Sequence, residues 1–235
     1  MPSGPPIFRG FDERGELRIY HRNLPHWRQP GATYFVTFRQ ADSIPKSVLE
    51  QWDRQHSDWL RAHGIESAWK QSRPQAYLDH YRRIPEHERL EFERAAAKLL
   101  HHELDRCHGS CVLRDPANAT IVQEALLHFH GDRAWVGDFV IMPNHVHAIL
   151  QPKLGDELED LLESVKKFTS RRIRADLRET EPAPNRPSFW QPESYDRIIR
   201  DLEELSAYRR YIARNPLKAN LHEGEFIHHT CDWLP

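Results

Sequence analysis

The stretch from Ala134 to Leu150 constrains the fold of this chain more than any other. Ala134-Trp-Val-Gly-Asp-Phe-Val-Ile-Met142 and His145-Val-His-Ala-Ile-Leu150 are both rich in strand-forming residues, and only Pro143-Asn144 separates them. Two strands joined by so short a connection pair with each other in opposite directions, so the spacing predicts an antiparallel hairpin. Successive side chains of a strand point to opposite faces, which sends His145 and His147 one way and Val146, Ala148 and Leu150 the other. Two neutral imidazoles one strand repeat apart can share a divalent cation, leaving its other positions for a third ligand, water and a substrate oxygen. Histidine occurs 16 times here, and a lone His-x-His on a strand is more often a structural pair, so the rest of the chain decides.

Other segments arrange themselves around that hairpin. Tyr34, Val36 and Phe38 alternate with Phe35 and Thr37, the pattern of a central strand. Ala117 to Phe129 carries Ile121, Val122, Ala125, Leu126 and Phe129 on one helical stripe, and Leu158, Leu161, Leu162, Val165 and Phe168 mark a second helix. Tyr195 to Ile199 reads as a short strand. Asp201 opens a last helix, with Glu203 and Glu204 in its first turn and Arg209, Arg210 and Arg214 toward its end, an ordering that suits the helix dipole. This β-α-β-β-α-β-α order predicts an α+β fold, a ferredoxin-like sandwich with a central antiparallel sheet and helices on one face.

The composition changes from Pro45 to about His108, where Trp52, Trp59, Leu60, Trp69, Leu90, Phe92, Leu99 and Leu100 recur at helix-like intervals among many charges. We read an inserted helical region at about 45–108, divided by Ser72-Arg-Pro74, whose tryptophans serve its core more readily than they stack on bases. Residues 31–221 then form a single catalytic domain carrying this insertion. Residues 1–30, rich in Pro and Gly, form a partly ordered arm, Glu181 to Pro187 a stiff linker, and 222–235 a C-terminal tail.

At 235 residues the chain can bury a substantial core. No apolar run approaches the roughly 20 residues of a membrane span, and the N-terminus lacks the basic start and apolar core of a secretory signal. Three cysteines argue against a disulfide framework and for a reducing cytoplasm. Cys107-His108-Gly-Ser-Cys111 has a spacing seen among zinc ligands, but no second pair follows, and ordinary thiols in a turn are the better reading.

The C-terminal region adds Phe189-Trp-Gln-Pro-Glu-Ser-Tyr-Asp-Arg-Ile-Ile-Arg200 and Tyr211-Ile-Ala-Arg-Asn-Pro216. Tyr211 and Asn215, four apart, share a helix face one turn apart, and Pro216 is expected to end that helix or lie just past its last turn. With Ala32-Thr-Tyr-Phe-Val-Thr-Phe38 and Met142-Pro-Asn-His-Val-His147, these segments in this order resemble the single-tyrosine transposases of the HUH endonuclease superfamily, most closely the REP-associated tyrosine transposases. The resemblance runs from about Gly31 to Leu221. It implies the ferredoxin-like fold, a metal pair in His145 and His147, and a nucleophile in Tyr211, with Tyr208 its main rival. Asn215, where relatives often carry Gln, corresponds to the residue that completes the metal shell. Mg²⁺ or Mn²⁺ is the implied cofactor, and cleavage through a 5′-phosphotyrosine with a free 3′-hydroxyl the implied chemistry.

Net charge is −2, from 33 basic and 35 acidic residues, yet phosphates are met by local patches rather than by the average. Val165 to Arg178 carries six basic residues against Asp176, and Lys166, Lys167, Arg171, Arg172 and Arg174 are the expected DNA contacts. The expected partner is single-stranded or hairpin DNA at palindromic repeats, with no membrane. The inserted helices would obstruct the interface through which dimeric relatives exchange the tyrosine helix, which favours a monomer over a homodimer. Two alternatives stay open: a catalytically silent domesticated single-strand DNA-binding protein, and a His-x-His metal-dependent phosphohydrolase. Ile149 stands where a histidine-triad enzyme would want a third histidine.

Overall fold

The structure, a computed structural model, describes residues 7–21, 25–177 and 187–235. The linker expected from Glu181 to Pro187 lies outside the described residues except for Pro187, as does Arg178 of the basic segment. The chain divides into two compact units: Met1–Ser43 with Gly109–Pro235, and Ile44–His108.

The first unit is built on a five-stranded antiparallel sheet. Its strands are β3 (Tyr34–Arg39), β4 (Ala134–Ile141), β5 (His145–Pro152), β6 (Tyr195–Ile198) and β7 (Ile227–His229), in the order β6-β3-β5-β4-β7. The expected hairpin is β4–β5, closed by a bond from the Met142 N–H to the His145 carbonyl at 2.8 Å. Helices α5 (Pro116–Leu127) and α6 (Leu158–Asp176) connect these strands, and α7 (Leu202–Lys218) follows β6. Without β7 the connectivity is β-α-β-β-α-β, the α+β sandwich that the periodicity indicates.

Alternation divides the apolar residues between two cores. Tyr34, Val36, Phe38, Val146, Ala148 and Leu150 pack with Val122 and Leu126 of α5 and Leu162, Val165 and Ile173 of α6. Phe35, Val140, Met142 and Ile149 face the other way and pack with Leu205 and Ile212 of α7, whose burial contributes about 1.5–3 kcal/mol each. Helices therefore cover both faces, not one. The final helix cannot join α5 and α6, because the sheet's second face is also apolar and must be shielded from water.

The termini are more built than the sequence suggests. Within the expected arm, β1 (Arg18–His21) and β2 (Pro25–Arg28) form an antiparallel pair, and His26 and Arg28 are buried. Within the expected tail, β7 pairs with β4, and Leu234 packs against Gly137, where an added Cβ would sit 2.8 Å from Leu234 Cδ1. Gly137 falls at the register shift between Val136 and Phe139, so the bulge and the missing side chain together admit the C-terminus. Arg209 of α7 fastens it, donating to Asp138 Oδ2 at 2.9 Å and to the Leu234 carbonyl at 3.0 Å.

The second unit contains α1 (Lys46–Ala62), α2 (Trp69–Ser72), α3 (Pro74–Arg83) and α4 (Glu86–Leu104). Pro74 occupies the first turn of α3, where its missing N–H costs nothing, so Ser72-Arg-Pro74 separates two helices as expected. Leu60, Ile65, Tyr77, Tyr81 and Ile84 form its core with Trp59 and Trp69 against them, and Trp59 stacks on Phe92 at 4.4 Å between centroids.

Candidate metal and tyrosine centre

His145 and His147 lie on the face of β5 turned toward α7, both fully buried. Each imidazole is oriented by its Nδ1. His145 Nδ1 lies 2.7 Å from Asn144 Oδ1, and His147 Nδ1 lies 2.7 Å from Thr37 Oγ1, its register partner on β3. An amide oxygen only accepts, so His145 carries its proton on Nδ1 and presents a lone pair at Nε2. The two Nε2 atoms converge to 3.0 Å. Metal–nitrogen bonds of about 2.0–2.1 Å can span that separation, and Nδ1 partners of this kind are what fix ligand histidines elsewhere. The pair therefore fits a shared divalent cation.

Helix α7 brings Tyr211 to this point. Asp201 caps the helix by accepting from the Glu204 N–H at 2.8 Å, and Glu204 reaches back to the Arg200 N–H at 2.7 Å. Two and a half turns later the Tyr211 hydroxyl lies 3.3 Å from His147 Nε2. Asn215 is fully buried one turn further on, on the same side as the tyrosine. Pro216 does not end the helix, which runs to Lys218. The proline costs one N–H near the C-terminus, and closure passes to the Leu221 N–H, which donates to the Pro216 carbonyl at 3.0 Å.

Tyr208 is placed differently. Its ring stacks on Phe35 with centroids 4.1 Å apart and planes 13° apart, and its hydroxyl bonds that of Tyr195. Burial, with Tyr195 beside it, pushes this phenol well above the usual tyrosine range. Phe35 is the common platform: His147 stacks on it at 5.5 Å and Tyr211 meets it edge-on at 5.9 Å. Neither Phe35 nor Thr37 stood out as a site residue in the sequence. Their shared face was legible from strand alternation, but the register that pairs Thr37 with His147 was not.

The basic residues of α6 lie in a different layer. Val165, Thr169 and Ile173 bury the inner side of α6 against the sheet face opposite the histidines. Two of the expected DNA contacts are engaged in local structure: Lys166 Nζ donates to the Gln191 and Pro192 carbonyls, and Arg174 donates to the Pro187 carbonyl. Lys167, Arg171 and Arg172 are exposed, with Arg172 3.5 Å from Asp176. A second basic row, of which Arg210 and Arg214 were read only as complementing the helix dipole, lies on α7. Arg210, Arg214 and Lys218 are exposed on the Tyr211 side of α7, and Lys218 Nζ sits 4.6 Å from the Tyr211 ring centroid. Their i, i+4, i+8 spacing was the available signal.

Comparison with known families adds to this geometry. Residues 128–215 match the family described as Transposase IS200 like. The matched stretch runs through β4, β5, α6 and β6 to Asn215 of α7, so it contains both histidines, Tyr211 and Asn215. It supports a transposase or DNA-processing role. In structure the chain is similar to a REP-associated tyrosine transposase bound to a REP hairpin, with 13% identity over 86% of this chain and 77% of that one and a TM-score of 0.44. No curated protein matches the chain in sequence. No described helix is long and apolar enough to cross a membrane.

Proposed function

We propose that this protein is a metal-dependent single-stranded DNA endonuclease and transposase that cleaves and rejoins DNA through a covalent bond to Tyr211. One observation carries the reading: the Tyr211 hydroxyl and the Nε2 atoms of His145 and His147 converge within a stretch that matches IS200-like transposases. His145 and His147 would hold the ion, with Asn215 as a third ligand. Bound there, Mg²⁺ or Mn²⁺ would orient the scissile phosphate and offset charge developing on its oxygens. Imidazole nitrogens favour Mn²⁺ of the two.

The residues divide the work. Tyr211 gives up its phenol proton to solvent, its oxygen bonds to phosphorus, and the P–O3′ bond breaks, leaving a 5′-phosphotyrosine and, once the departing oxygen takes a proton from solvent, a 3′-hydroxyl. Phe35 holds the rings of Tyr211 and His147 in mutual register. Energy of the phosphodiester is kept in the tyrosyl linkage, so rejoining needs no nucleotide fuel. A half-buried phenol beside two buried imidazoles is reached by an unpaired strand more readily than by stacked duplex. Hairpins with single-stranded flanks are therefore the proposed substrates, with a soluble monomer as the acting species and Lys167, Arg171 and Arg172 as phosphate contacts away from the centre. Incubating the full chain with Mn²⁺ and a labelled hairpin bearing unpaired flanks should give a denaturant-resistant protein–DNA adduct. Cutting of blunt duplex at the same rate, or cleavage without an adduct, would overturn the reading.

A further inference from the structure

Strand β3 presents one more polar side chain on the histidine face. Phe35, Thr37 and Arg39 alternate onto the side where Phe35 and Thr37 meet His147, and Arg39 is the register partner of His145 as Thr37 is of His147. Opposed residues in such a pair hold their Cβ atoms about 4.5–5.5 Å apart. Arg39 is only 9% exposed. Its Nη1 donates to the Gln40 carbonyl at 3.3 Å and to Ser43 Oγ at 3.2 Å, while Nε and Nη2 donate to no group among the described residues. No carboxylate among the described residues pairs with it, and burial alone pulls the guanidinium down to about 10.

The other arginine buried to this depth among the described residues shows what a structural one requires. Arg28 is 5% exposed and meets Asp196 at 2.6 Å and Glu159 at 2.5 Å, so its charge is balanced within the fold. Removing a guanidinium from water without a counter-charge is unfavourable, and a fold retains such a group where an anion arrives to balance it. A guanidinium fork matches the oxygens of a phosphate, and a fixed cation next to the reacting phosphorus is worth most where water is excluded.

We propose that Arg39 is a phosphate-binding residue of this centre, its free guanidinium edge receiving a phosphate of the bound DNA strand beside His145 and His147. The inference rests on the DNA-cleaving reading and adds to it the group that holds the strand's charge independently of any cation. Arg39→Met removes the charge and keeps an unbranched apolar stem, so the free full-length protein should unfold at or above the wild-type temperature. In EDTA, its affinity for a fluorescent single-stranded thymidine oligonucleotide should fall by about tenfold or more. The slope of log affinity on log salt should become shallower by about 0.7, the share of one phosphate contact. A folded variant with unchanged affinity and slope overturns the proposal. So does a variant that melts several degrees lower with the slope intact, which would make Arg39 a stitch to Ser43. Should Arg39→Met fail to fold, Arg39→Lys keeps the charge but not the fork, and unaltered cleavage by that variant is equally fatal. If the wild type forms no adduct while the Arg39-dependent slope stands, the transposase reading fails and the phosphate site remains.

Discussion

Two tyrosines one turn apart on α7 should respond in opposite ways to the same chemical change. Tyr211→Phe removes the hydroxyl of a half-buried ring, 3.3 Å from His147 Nε2 and at the long end of hydrogen-bond range, so stability should change by about 1 kcal/mol or less. Tyr208→Phe removes a hydroxyl bonded to Tyr195 beneath the stacked ring of Phe35. It leaves a mostly buried Tyr195 oxygen without that donor, at a cost of about 1–3 kcal/mol. For a chain of this length that is a fall of about 2–12 °C in the unfolding midpoint. Cleavage should divide the other way, with adduct abolished in Tyr211→Phe and retained in Tyr208→Phe at temperatures where both are folded. Thermal unfolding, a denaturing gel of the trapped adduct and mass spectrometry of the linked peptide read out the two halves. A nucleotide found on Tyr208, or a Tyr211→Phe variant that still forms adduct, would refute the argument from geometry.

The histidine pair is tested by His145→Ala with His147→Ala, which should abolish Mn²⁺ binding in calorimetry and cation-dependent cleavage while leaving a folded protein. Asn215→Ala should weaken binding less, because an amide oxygen is the poorer ligand for a borderline metal. Neutralising Arg210, Arg214 and Lys218 to Gln should flatten the salt dependence of short-oligonucleotide binding by up to about 2, at about 0.7 per contact. The same change at Lys167, Arg171 and Arg172 should matter only for DNA long enough to reach the opposite layer, and equal effects on a short strand would argue against that division. His26 supplies a pH test. Burial opposes its charge, but hydrogen bonds to Asp196 and Glu193 prevail and raise it to about 9. Its folded value exceeds the unfolded one, so its contribution of about 3 kcal/mol is full below pH 6.5 and lost as pH rises through 9. His26→Asn should flatten that decline in chemical denaturation, and an unaltered pH profile would remove His26 as its cause.

What the sequence disclosed and what it withheld differ by the range of the interaction. The β4–β5 hairpin and the common face of His145 and His147 follow from alternation within about 17 residues, and the α7 cap at Asp201 from a four-residue pattern. Pro216 was misjudged because a proline in the last turn costs one hydrogen bond, which the Leu221 N–H contact at the helix end helps to offset. The hairpin at the N-terminus and the strand near the C-terminus were read as arm and tail because their partners are remote. His26 and Arg28 find Asp196 about 170 positions away, and Cys231 finds Asp138 across 93. Such pairings leave no periodic trace in either partner.

The same limit applies to the α6 cluster of expected DNA contacts. Lys167, Arg171 and Arg172 fall between β5 and α7 in sequence, yet α6 packs on one face of the sheet and α7 on the other. Proximity along the chain says nothing about layer, whereas strand parity does. Arg39 is four residues from Phe35 and two from Thr37, and parity alone assigns all three to the face of His147. Sequence could therefore have found Arg39's face but not its lack of a carboxylate, since an ion pair with a distant acid is equally compatible with the local pattern. Arg28, an arginine in an equally ordinary strand, has such acids in Asp196 and Glu159. The distinction between a balanced structural charge and one left open to a ligand exists only in three dimensions, and here it singles out the arginine that shares a face with the candidate centre.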